Sequence, residues 1–505
     1  MLNSRQHSIK RKDISVQAIR VLEGLQKAGF QAYLVGGCIR DLLSGETPKD
    51  FDVSTNATPE QVRRVFRNSR IIGRRFRIVH VVFGRDIIEV TTFRANQEND
   101  RNTFRHQASE SGMLVRDNVY GRTLDEDAER RDFTINAIYY DLKRGELIDY
   151  HAGLYDLREK VIDIIGDPEK RYAEDPVRMI RALRFAAKLG FKISKRTADP
   201  IKRMAPSLKE VSNARMFEEV NKLFLTGHGL QSFRILKEYG IFEILFPGLD
   251  EYLENPVFNS FVEYALKSSD ERCKEQKRNM PHFLYAVILW AKFQSEVLRL
   301  SDLNDSVVNA ASMRELADIA CPKVLRIQHA VTAIPMSISE SIRSMWSLQL
   351  QFLEIDDPQS VEAVASRQLF RGGFDIFRLR ARFEPYLEPF VRFWQPYYDE
   401  SAARSKQKNE QRLARERDAA NFDTENTDPW SMSPGFEAEK KSRSSKNKKK
   451  RDVKDTAITN EQHKTSVLTQ ETKPSTQTTV ETVDPEREDR LARARAWRAS
   501  MHLDP

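Results

Sequence analysis

Residues 34–53, LVGGCIRDLLSGETPKDFDV, bring a glycine turn and two closely spaced aspartates into one short stretch. The apolar run Ala32–Val35 is typical of a short β-strand, and Gly36-Gly37 lead from it into a predicted helix over residues 38–43. Glycines at this point let the backbone approach a phosphate group closely. Arg40, one turn into the helix, is then placed to pair with a triphosphate oxygen.

The second half of the stretch carries Asp50 and Asp52, separated by Phe51. Residues i and i+2 of a strand point to the same face, so both carboxylates are expected to project together while Phe51 packs behind them. Two like charges this close repel each other, and a divalent cation makes the arrangement favourable. Mg²⁺ suits such hard oxygen ligands, so the pattern indicates phosphoryl transfer from a metal-bound nucleotide.

Further along, the pattern mixes helix and strand signals as far as residue 150. Thr58-Pro59-Glu60-Gln61 has the form of a capped helix start. The β-rich runs 78–83 and 87–93 flank Gly84-Arg85-Asp86, which predicts a hairpin. From about residue 170 to 395 the pattern is helical, with no alternation of strand and helix. The expected fold class is therefore α+β, a small mixed head with a sheet followed by all-helical regions.

The chain of 505 residues carries a formal net charge of +8, which favours polyanionic partners. Its longest apolar run, 283–291, is too short to span a membrane, and no membrane association or secretory signal is expected. Cys38, Cys273 and Cys321 are too far apart for a zinc site or disulfide scaffold. The expected location is the cytoplasm.

Composition changes near residue 400. Lys, Arg, Ser, Thr and Glu dominate from there, and the segment 440–451, KKSRSSKNKKKR, is almost solidly basic. Such a segment buries too little apolar surface to order itself, so a disordered basic tail is predicted, with a short helix near 489–500. The tail suits non-specific RNA binding, and a simple solvated extension explains it about as well.

The chain resembles the bacterial poly(A) polymerases and tRNA CCA-adding enzymes, the class II group of the polymerase-β-like nucleotidyltransferases. The resemblance is carried by ordered motifs: LVGGCIRDLLSG (34–45), KDFDV (49–53), RRDFTINAIYYD (130–141), GELIDYHAGLYDL (145–157), EDPVRMIRALRFAAKLGF (174–191) and RMFEE (215–219).

The resemblance implies that Asp50 and Asp52 bind two Mg²⁺ ions, for attack of an RNA 3′-hydroxyl on ATP with loss of pyrophosphate. Asp132 matches a further catalytic acidic position, with Glu89 on the strand after the hairpin as its competitor. The remaining matches are nucleotide-binding positions: Gly36, Gly37, Arg40, Arg131, Asp175, Arg178, Arg181 and Arg184.

Within that last set the implied roles differ. Residues 174–190 form a predicted helix with Asp175 as its cap, Pro176 at the first position and Gly190 as its stop. Asp175 and Arg178 match the residues that read the edge of the incoming base, so that protein side chains replace a template. Arg181 and Arg184 match nucleotide-contacting arginines, although a row of this kind is otherwise typical of a solvated face.

Two activities share this core. The segment 73–80, GRRFRIVH, and residues 7–15 resemble the poly(A) polymerases and favour ATP-dependent addition of poly(A) to RNA 3′ ends, with RNA-decay machinery as a possible partner. A tRNA CCA-adding enzyme and a non-catalytic RNA-binding protein are the alternatives. The expected segments are a flexible N-terminus (1–12), a catalytic head (13–150), a helical neck that binds base and RNA (151–225), a helical body (226–398) and the disordered tail (399–505).

Overall fold

We describe a computed structural model of the chain over residues 1–73, 77–94, 120–303 and 310–425. The chain divides into two compact units, the first formed by the described residues of Met1–Ala402 and the second beginning at Ala403. The predicted α+β class is confirmed, since a sheet with helices is followed by a mostly helical region. In the described part of the chain, no helix combines the length and the apolar content needed to cross a bilayer.

The head contains a seven-stranded sheet with the order β3-β4-β5-β2-β1-β6-β7. Only the β2–β5 pair is parallel, and the other neighbouring strands are antiparallel. The expected hairpin is present, with β4 and β5 joined at Phe83 and Asp86. The strands are β1 Ala32–Val35, β2 Asp52–Thr55, β3 Ser69–Ile72, β4 Ile78–Phe83, β5 Asp86–Thr92, β6 Ile138–Asp141 and β7 Glu146–Asp149.

One face of this sheet forms the hydrophobic core of the head. Alternate strand residues such as Leu34, Val53, Val79 and Val90 are at most 1% exposed and belong to one apolar cluster. Helices α1 Val16–Lys27, α2 Gly37–Leu43 and α3 Pro59–Val65 also contribute to that cluster. Because side chains alternate along a strand, the residues between these point to the opposite face, where polar groups can be exposed.

Helix α3 begins as the sequence predicts. Thr58 Oγ1 accepts a hydrogen bond from the Gln61 backbone N–H, and Gln61 Oε1 accepts one from the Thr58 N–H. This reciprocal pair satisfies two donors that the first turn of a helix otherwise leaves unpaired.

After the sheet the described chain is helical, apart from the two-residue strands β8 Val161–Ile162 and β9 Lys192–Ile193, which pair in parallel. Apolar residues of these helices form the largest core cluster. The helices after the sheet are α5 Gly153–Glu159, α6 Pro168–Glu174, α7 Val177–Leu189, α8 Lys195–Met204, α9 Asn213–Phe224, α10 Gly229–Glu238, α11 Ile241–Leu245, α12 Asp250–Glu254, α13 Pro256–Lys274, α14 Pro281–Ile288, α15 Trp290–Leu303, α16 Ala310–His329, α17 Met336–Gln351, α18 Pro358–Ala365, α19 Phe370–Ala381 and α20 Glu388–Glu425. Helix α4 Leu124–Arg130 lies earlier in the chain, between β5 and β6.

The N-terminus differs from the flexible segment expected over residues 1–12. Leu2 and Leu147 exchange two backbone hydrogen bonds of 2.9 Å, so residue 2 pairs with the outer side of β7. Leu2 and Ile9 are each only 5% exposed and pack into the core of the head. Burial of these two apolar side chains anchors the N-terminal segment to the head.

The C-terminal boundary also differs, because helix α20 continues past the expected start of disorder at residue 399. Residues 401–412 are mostly exposed, but they are rich in Ala, Arg, Lys, Gln and Glu, which favour helix without needing a core. The remaining tail 426–505, with the basic segment 440–451 and the helix expected near 489–500, lies outside the described residues. Residues 74–76 of the GRRFRIVH segment do so as well.

Candidate active site

The glycine turn connects β1 to α2, and Gly36 there adopts φ +78° and ψ −136°. A Cβ atom at this position would lie 3.7 Å from Asp52 Oδ2 and 3.8 Å from Arg131 Nη1. The backbone conformation is one that side chains rarely adopt. Glycine is thus needed for the conformation, and the turn approaches the carboxylate directly.

Asp50 and Asp52 face the same cavity, although β2 begins only at Asp52 and Asp50 precedes the strand. Phe51 is buried in the apolar cluster of the head, whereas Asp50 and Asp52 both line a cavity beside the turn. Burial raises the pKa of Asp52 to about 6, and the negative charges of Glu89 and Asp50 act in the same direction while Arg131 opposes them. Asp52 therefore lies in a site where negative charge is concentrated.

Glu89 owes its place beside Asp52 to strand register. The parallel pairing of β2 and β5 puts the two residues opposite each other, and paired residues share a face of the sheet. That face is opposite to the core, since Val53 and Val90 on either side are buried. Glu89 is therefore a neighbour of Asp52 on this face, and its side chain is 48% exposed.

Asp132 is engaged differently. Its Oδ2 accepts hydrogen bonds from Arg181 Nε and Nη2 at 2.8 and 2.6 Å, and its Oδ1 accepts one from Asn136 Nδ2 at 3.1 Å. Burial alone would raise the pKa of Asp132, but Arg181 and Asn136 lower it to about 2. The carboxylate is thus ionised and serves to hold an arginine of α7.

Asn136 also links Asp132 to Arg40 of α2. Its Oδ1 accepts a hydrogen bond of 2.9 Å from Arg40 Nη1, and Asp41 holds the other side of the guanidinium. Arg40 is almost fully buried yet lines the cavity. A chain of hydrogen bonds therefore runs from Arg40 in the head through Asn136 and Asp132 to Arg181 in α7.

Arg131 is supported from the head. Its Nε lies 2.8 Å from the Tyr139 hydroxyl oxygen, and its Nη2 lies 3.1 Å from Asp127 Oδ2. Burial alone would lower the pKa of Arg131, but Tyr139 and Asp127 raise it above its ordinary value. The guanidinium stays charged and oriented beside Gly36 and Asp52.

Asp175 is the C-cap of α6 and lies one residue before Pro176, which takes the N-cap position of α7 that was expected for Asp175. Its carboxylate accepts two hydrogen bonds from Arg215, at 2.9 and 2.7 Å. Arg178 Nη1 donates to the Arg171 carbonyl and to Glu174 Oε2. Both residues implied in base reading are therefore held in fixed orientations.

Arg184 lies one turn after Arg181 in α7. Its burial and the positive charge of Arg181 lower its pKa. Its Nε lies 3.9 Å from the buried Glu219 Oε2, and its guanidinium lies over the Phe185 ring at 4.6 Å. Unlike Arg181, it lines the cavity.

The cavity has a volume of about 1080 Å³ and is lined by residues of the head and of the helices that follow it in the chain. Gly37, Arg40, Asp50 and Asp52 line it from the head, and Arg184 lines it from α7. Further cations surround these residues and give the cavity the charge expected for a site that holds polyphosphates. They are Lys49, Arg158, Lys160, Lys188 and Lys222.

The aspartate pair fits Mg²⁺ when substrate phosphates complete the coordination. Among the described residues, no three His, Cys, Asp or Glu side chains form a cluster able to hold a metal alone. Magnesium in nucleotide-dependent enzymes is usually bound by one or two carboxylates together with phosphate oxygens and water. Burial, followed by the negative charges of Glu89 and Asp50, raises the pKa of Asp52, and a bound divalent cation would favour the ionised carboxylate against these effects.

Sequence reasoning missed the supporting residues. Asn136 and Tyr139 lie inside the RRDFTINAIYYD motif, and Arg215 begins RMFEE, so motif membership was their only signal. Asp127 closes the acidic run Asp125-Glu126-Asp127 in the first turn of α4, where acidic residues are common for helix stability alone.

Three family models match the chain in order. They are described as the poly A polymerase head domain over residues 32–163, a probable RNA and SrmB-binding site of polymerase A over 190–253, and the polymerase A arginine-rich C-terminus over 311–452. Together they extend from the head into the residues beyond 425.

Curated relatives match over most of their length. The chain is 44% identical to poly(A) polymerase I of Haemophilus influenzae over 391 residues, covering 76% of this chain and 84% of the relative. It is 44% identical to poly(A) polymerase I of Salmonella typhi over 400 residues, covering 77% and 83%.

Similarity to CCA-adding enzymes is less extensive. The enzyme of Lactobacillus helveticus is 39% identical over 248 residues, which cover 48% of this chain and 59% of the relative. A crystal structure of the Bacillus stearothermophilus CCA-adding enzyme with CTP superposes with a TM-score of 0.50 at 26% identity, covering 76% of this chain and 82% of that one. The chain therefore belongs to the poly(A) polymerase I family of nucleotidyltransferases.

Proposed function

We propose that the chain is a template-independent polynucleotide adenylyltransferase that extends RNA 3′ ends from ATP in the cavity beside Asp50 and Asp52. The observation that carries this proposal is the pair Asp50 and Asp52 at the wall of a cation-lined cavity, with the negative charge of Glu89 acting on Asp52 from the neighbouring strand. The 44% sequence identity of the chain to poly(A) polymerase I relatives supports the same reaction.

In the proposed reaction the RNA 3′-hydroxyl oxygen bonds to the α-phosphorus of ATP, and the bond between the α- and β-phosphates breaks. Pyrophosphate leaves, and the hydroxyl proton passes to solvent. Gly37 and Arg40 bind the triphosphate, and Arg131 supports the nucleotide beside Gly36. The cavity cations neutralise phosphate charge.

Asp50 and Asp52 would hold Mg²⁺, and two ions are proposed. When bound there, Mg²⁺ would make the 3′-hydroxyl a better nucleophile and would neutralise charge on the triphosphate. We propose Glu89 as the third carboxylate on the attacking side, because it is in register with Asp52 and exposed. Asp132 instead acts as a positioning residue, since Arg181 and Asn136 engage its oxygens.

Helix α7 and its N-terminal junction would select the base. Asp175 and Arg178 present an acceptor and a donor that can read an adenine edge, and both are held by neighbouring side chains. Arg181 and Arg184 follow at the next positions of the same helix. This assignment makes the expected neck, 151–225, the base-reading region and the expected head, 13–150, the catalytic one.

Primer extension tests the proposal. An unstructured RNA is incubated with Mg²⁺ and either ATP or CTP, with Asp52→Asn as the inactive control. Long ladders with ATP and little product with CTP are expected. Short additions confined to tRNA ends and dependent on CTP would establish the CCA-adding alternative, and RNA binding without any extension would establish a binding protein.

The cellular role is proposed from the same reaction. A poly(A) tail offers 3′ exonucleases a single-stranded start, so tailed RNA would be directed towards decay in the cytoplasm. RNA half-lives in cells that carry the Asp52→Asn variant would lengthen if this role holds, and unchanged half-lives would contradict it.

A further inference from the structure

His80 lies next to Glu89 on the sheet. The antiparallel pairing of β4 and β5 puts the two residues opposite each other, on the same face as Asp52. Val79 and Val81, the neighbours of His80 along β4, are buried in the core of the head. The three side chains Asp52, Glu89 and His80 therefore form one row across β2, β5 and β4.

Glu89 and His80 lie on one side of β2, and the glycine turn with Arg40 lies on the other. Gly37 and Arg40 follow β1, which flanks β2 on one side, whereas Glu89 and His80 lie on the strands that flank β2 on the other. In an in-line displacement the attacking oxygen and the leaving group lie on opposite sides of the phosphorus. With pyrophosphate leaving towards Arg40, the RNA 3′-hydroxyl is on the side of Glu89.

The contacts of His80 point to Glu89 as its partner. His80 Nε2 is 3.3 Å from Glu89 Oε1, although the orientation is not that of a hydrogen bond. Both ring nitrogens are buried without a hydrogen-bonding partner. A buried donor without a partner is costly, and a small rotation towards the adjacent carboxylate would satisfy it.

We propose that His80 is a positioning residue that orients the Glu89 carboxylate during attack by the RNA 3′-hydroxyl. This inference rests on the proposed role of Glu89. A half-exposed glutamate has several rotamers, and a histidine donor fixes one of them, as supporting groups commonly do for carboxylates that bind metals. In this role His80 acts on the transfer step through Glu89 and not through a contact of its own with ATP.

The test compares His80→Phe, which keeps a ring without donors, with His80→Gln, which keeps an N–H donor. Extension of a labelled oligoadenylate is measured at saturating Mg²⁺, giving kcat and the KM values of ATP and RNA. For His80→Phe we expect kcat to fall about tenfold or more, the usual scale for loss of a supporting group. KM for ATP should stay within about twofold, and His80→Gln should restore most of the rate.

A double variant separates this role from a structural one. When His80→Phe is added to Glu89→Gln, kcat should fall little further, because both changes act on the same carboxylate. His329→Phe, an exposed histidine of α16, is the matched control and should retain the wild-type rate. Thermal unfolding of each variant checks the fold.

Three outcomes would overturn the inference: a wild-type kcat for His80→Phe, a full additional loss in the Glu89→Gln background, or an effect confined to KM for ATP. A wild-type rate for Glu89→Gln itself would remove both the role of Glu89 and that of His80. The proposed adenylyl transfer would still stand if Asp52→Asn were inactive.

Discussion

Arg215 donates hydrogen bonds to both carboxylate oxygens of Asp175, at 2.9 and 2.7 Å. The pair joins α9 to the junction between α6 and α7, across 40 residues of sequence. Two parallel hydrogen bonds fix a carboxylate in orientation as well as position. In the proposed base-reading role, an aspartate held in this way would present one geometry to the incoming nucleotide.

Loss of this pair should weaken the choice of base. For Arg215→Ala we expect KM for ATP to rise by about tenfold, since hydrogen bonds between charged groups contribute about 1.5–3 kcal/mol. The preference for ATP over CTP should fall as well, because the freed carboxylate of Asp175 can turn towards the amino group of adenine or that of cytosine. Single-nucleotide incorporation with each nucleotide measures both effects. Arg203→Ala, which removes an exposed ion pair with Glu169, is the control, and an unchanged ATP-to-CTP ratio for Arg215→Ala would refute the prediction.

Asp52→Asn should abolish transfer without destabilising the fold. The pKa of Asp52 is raised to about 6, so ionisation costs stability as pH rises from the unfolded value of 3.8 through 6. At pH 8 without Mg²⁺, the variant should therefore unfold at an equal or higher temperature than the wild type.

Added Mg²⁺ with ATP should raise the unfolding temperature of the wild type and have a smaller effect on Asp52→Asn. Differential scanning calorimetry with and without the metal measures this difference. Equal stabilisation of both proteins would mean that Asp52 does not bind the cation.

Asp132 should make a pH-dependent contribution to the free energy of unfolding. Its pKa is lowered from 3.8 to about 2, and about 1.4 kcal/mol per pKa unit gives roughly 2 kcal/mol of stabilisation. Because the folded-state pKa is depressed, this contribution is present above pH 3.8 and is lost as pH falls towards 2.

Urea unfolding of Asp132→Asn at pH 7 should accordingly show a marked loss of stability, since Arg181 is left without its carboxylate. The difference between the variant and the wild type in the free energy of unfolding should be smaller at pH 3. Asp356→Asn, an exposed residue, is the control and should match the wild type at both pH values. A gap that stays constant with pH would contradict the assigned ionisation.

Gly36→Ala should impair catalysis more than Gly29→Ala, although both glycines have positive φ. The angles are +78° and +87°, so a side chain strains the backbone at either position, by about 1–3 kcal/mol. Only at Gly36 would the new Cβ approach Asp52 and Arg131, whereas nothing lies within 4 Å at Gly29. Extension rates and unfolding temperatures of the two variants separate the effects, and equal rates would show that the approach to Asp52 is unimportant.

Local features of the fold were predictable from the sequence because they depend on neighbouring residues. The strand Ala32–Val35, the capping box at Thr58 and the hairpin at Gly84 follow from alternation, capping and turn chemistry within a few positions. The shared orientation of Asp50 and Asp52, with Phe51 buried between them, was also predictable from their spacing, although only Asp52 belongs to the strand.

Long-range partners were not predictable in the same way. Nothing near Asp132 in the sequence indicates that Arg181 engages it, since the contact depends on how α7 packs on the head. The register that puts Glu89 beside Asp52 likewise depends on a parallel pairing between strands that are not consecutive. The helix beyond residue 399 was missed for another reason, because low apolar content excludes a core and leaves helix propensity intact.

The pairing of Leu2 with Leu147 has a consequence for association between molecules. β7 is the last strand of the sheet order, and an open strand edge is a template on which another chain can add a strand. Leu147 already exchanges both of its outward backbone hydrogen bonds with Leu2. The N-terminal residues therefore blunt this edge, and dimers or aggregates built by strand addition at β7 would first have to displace them.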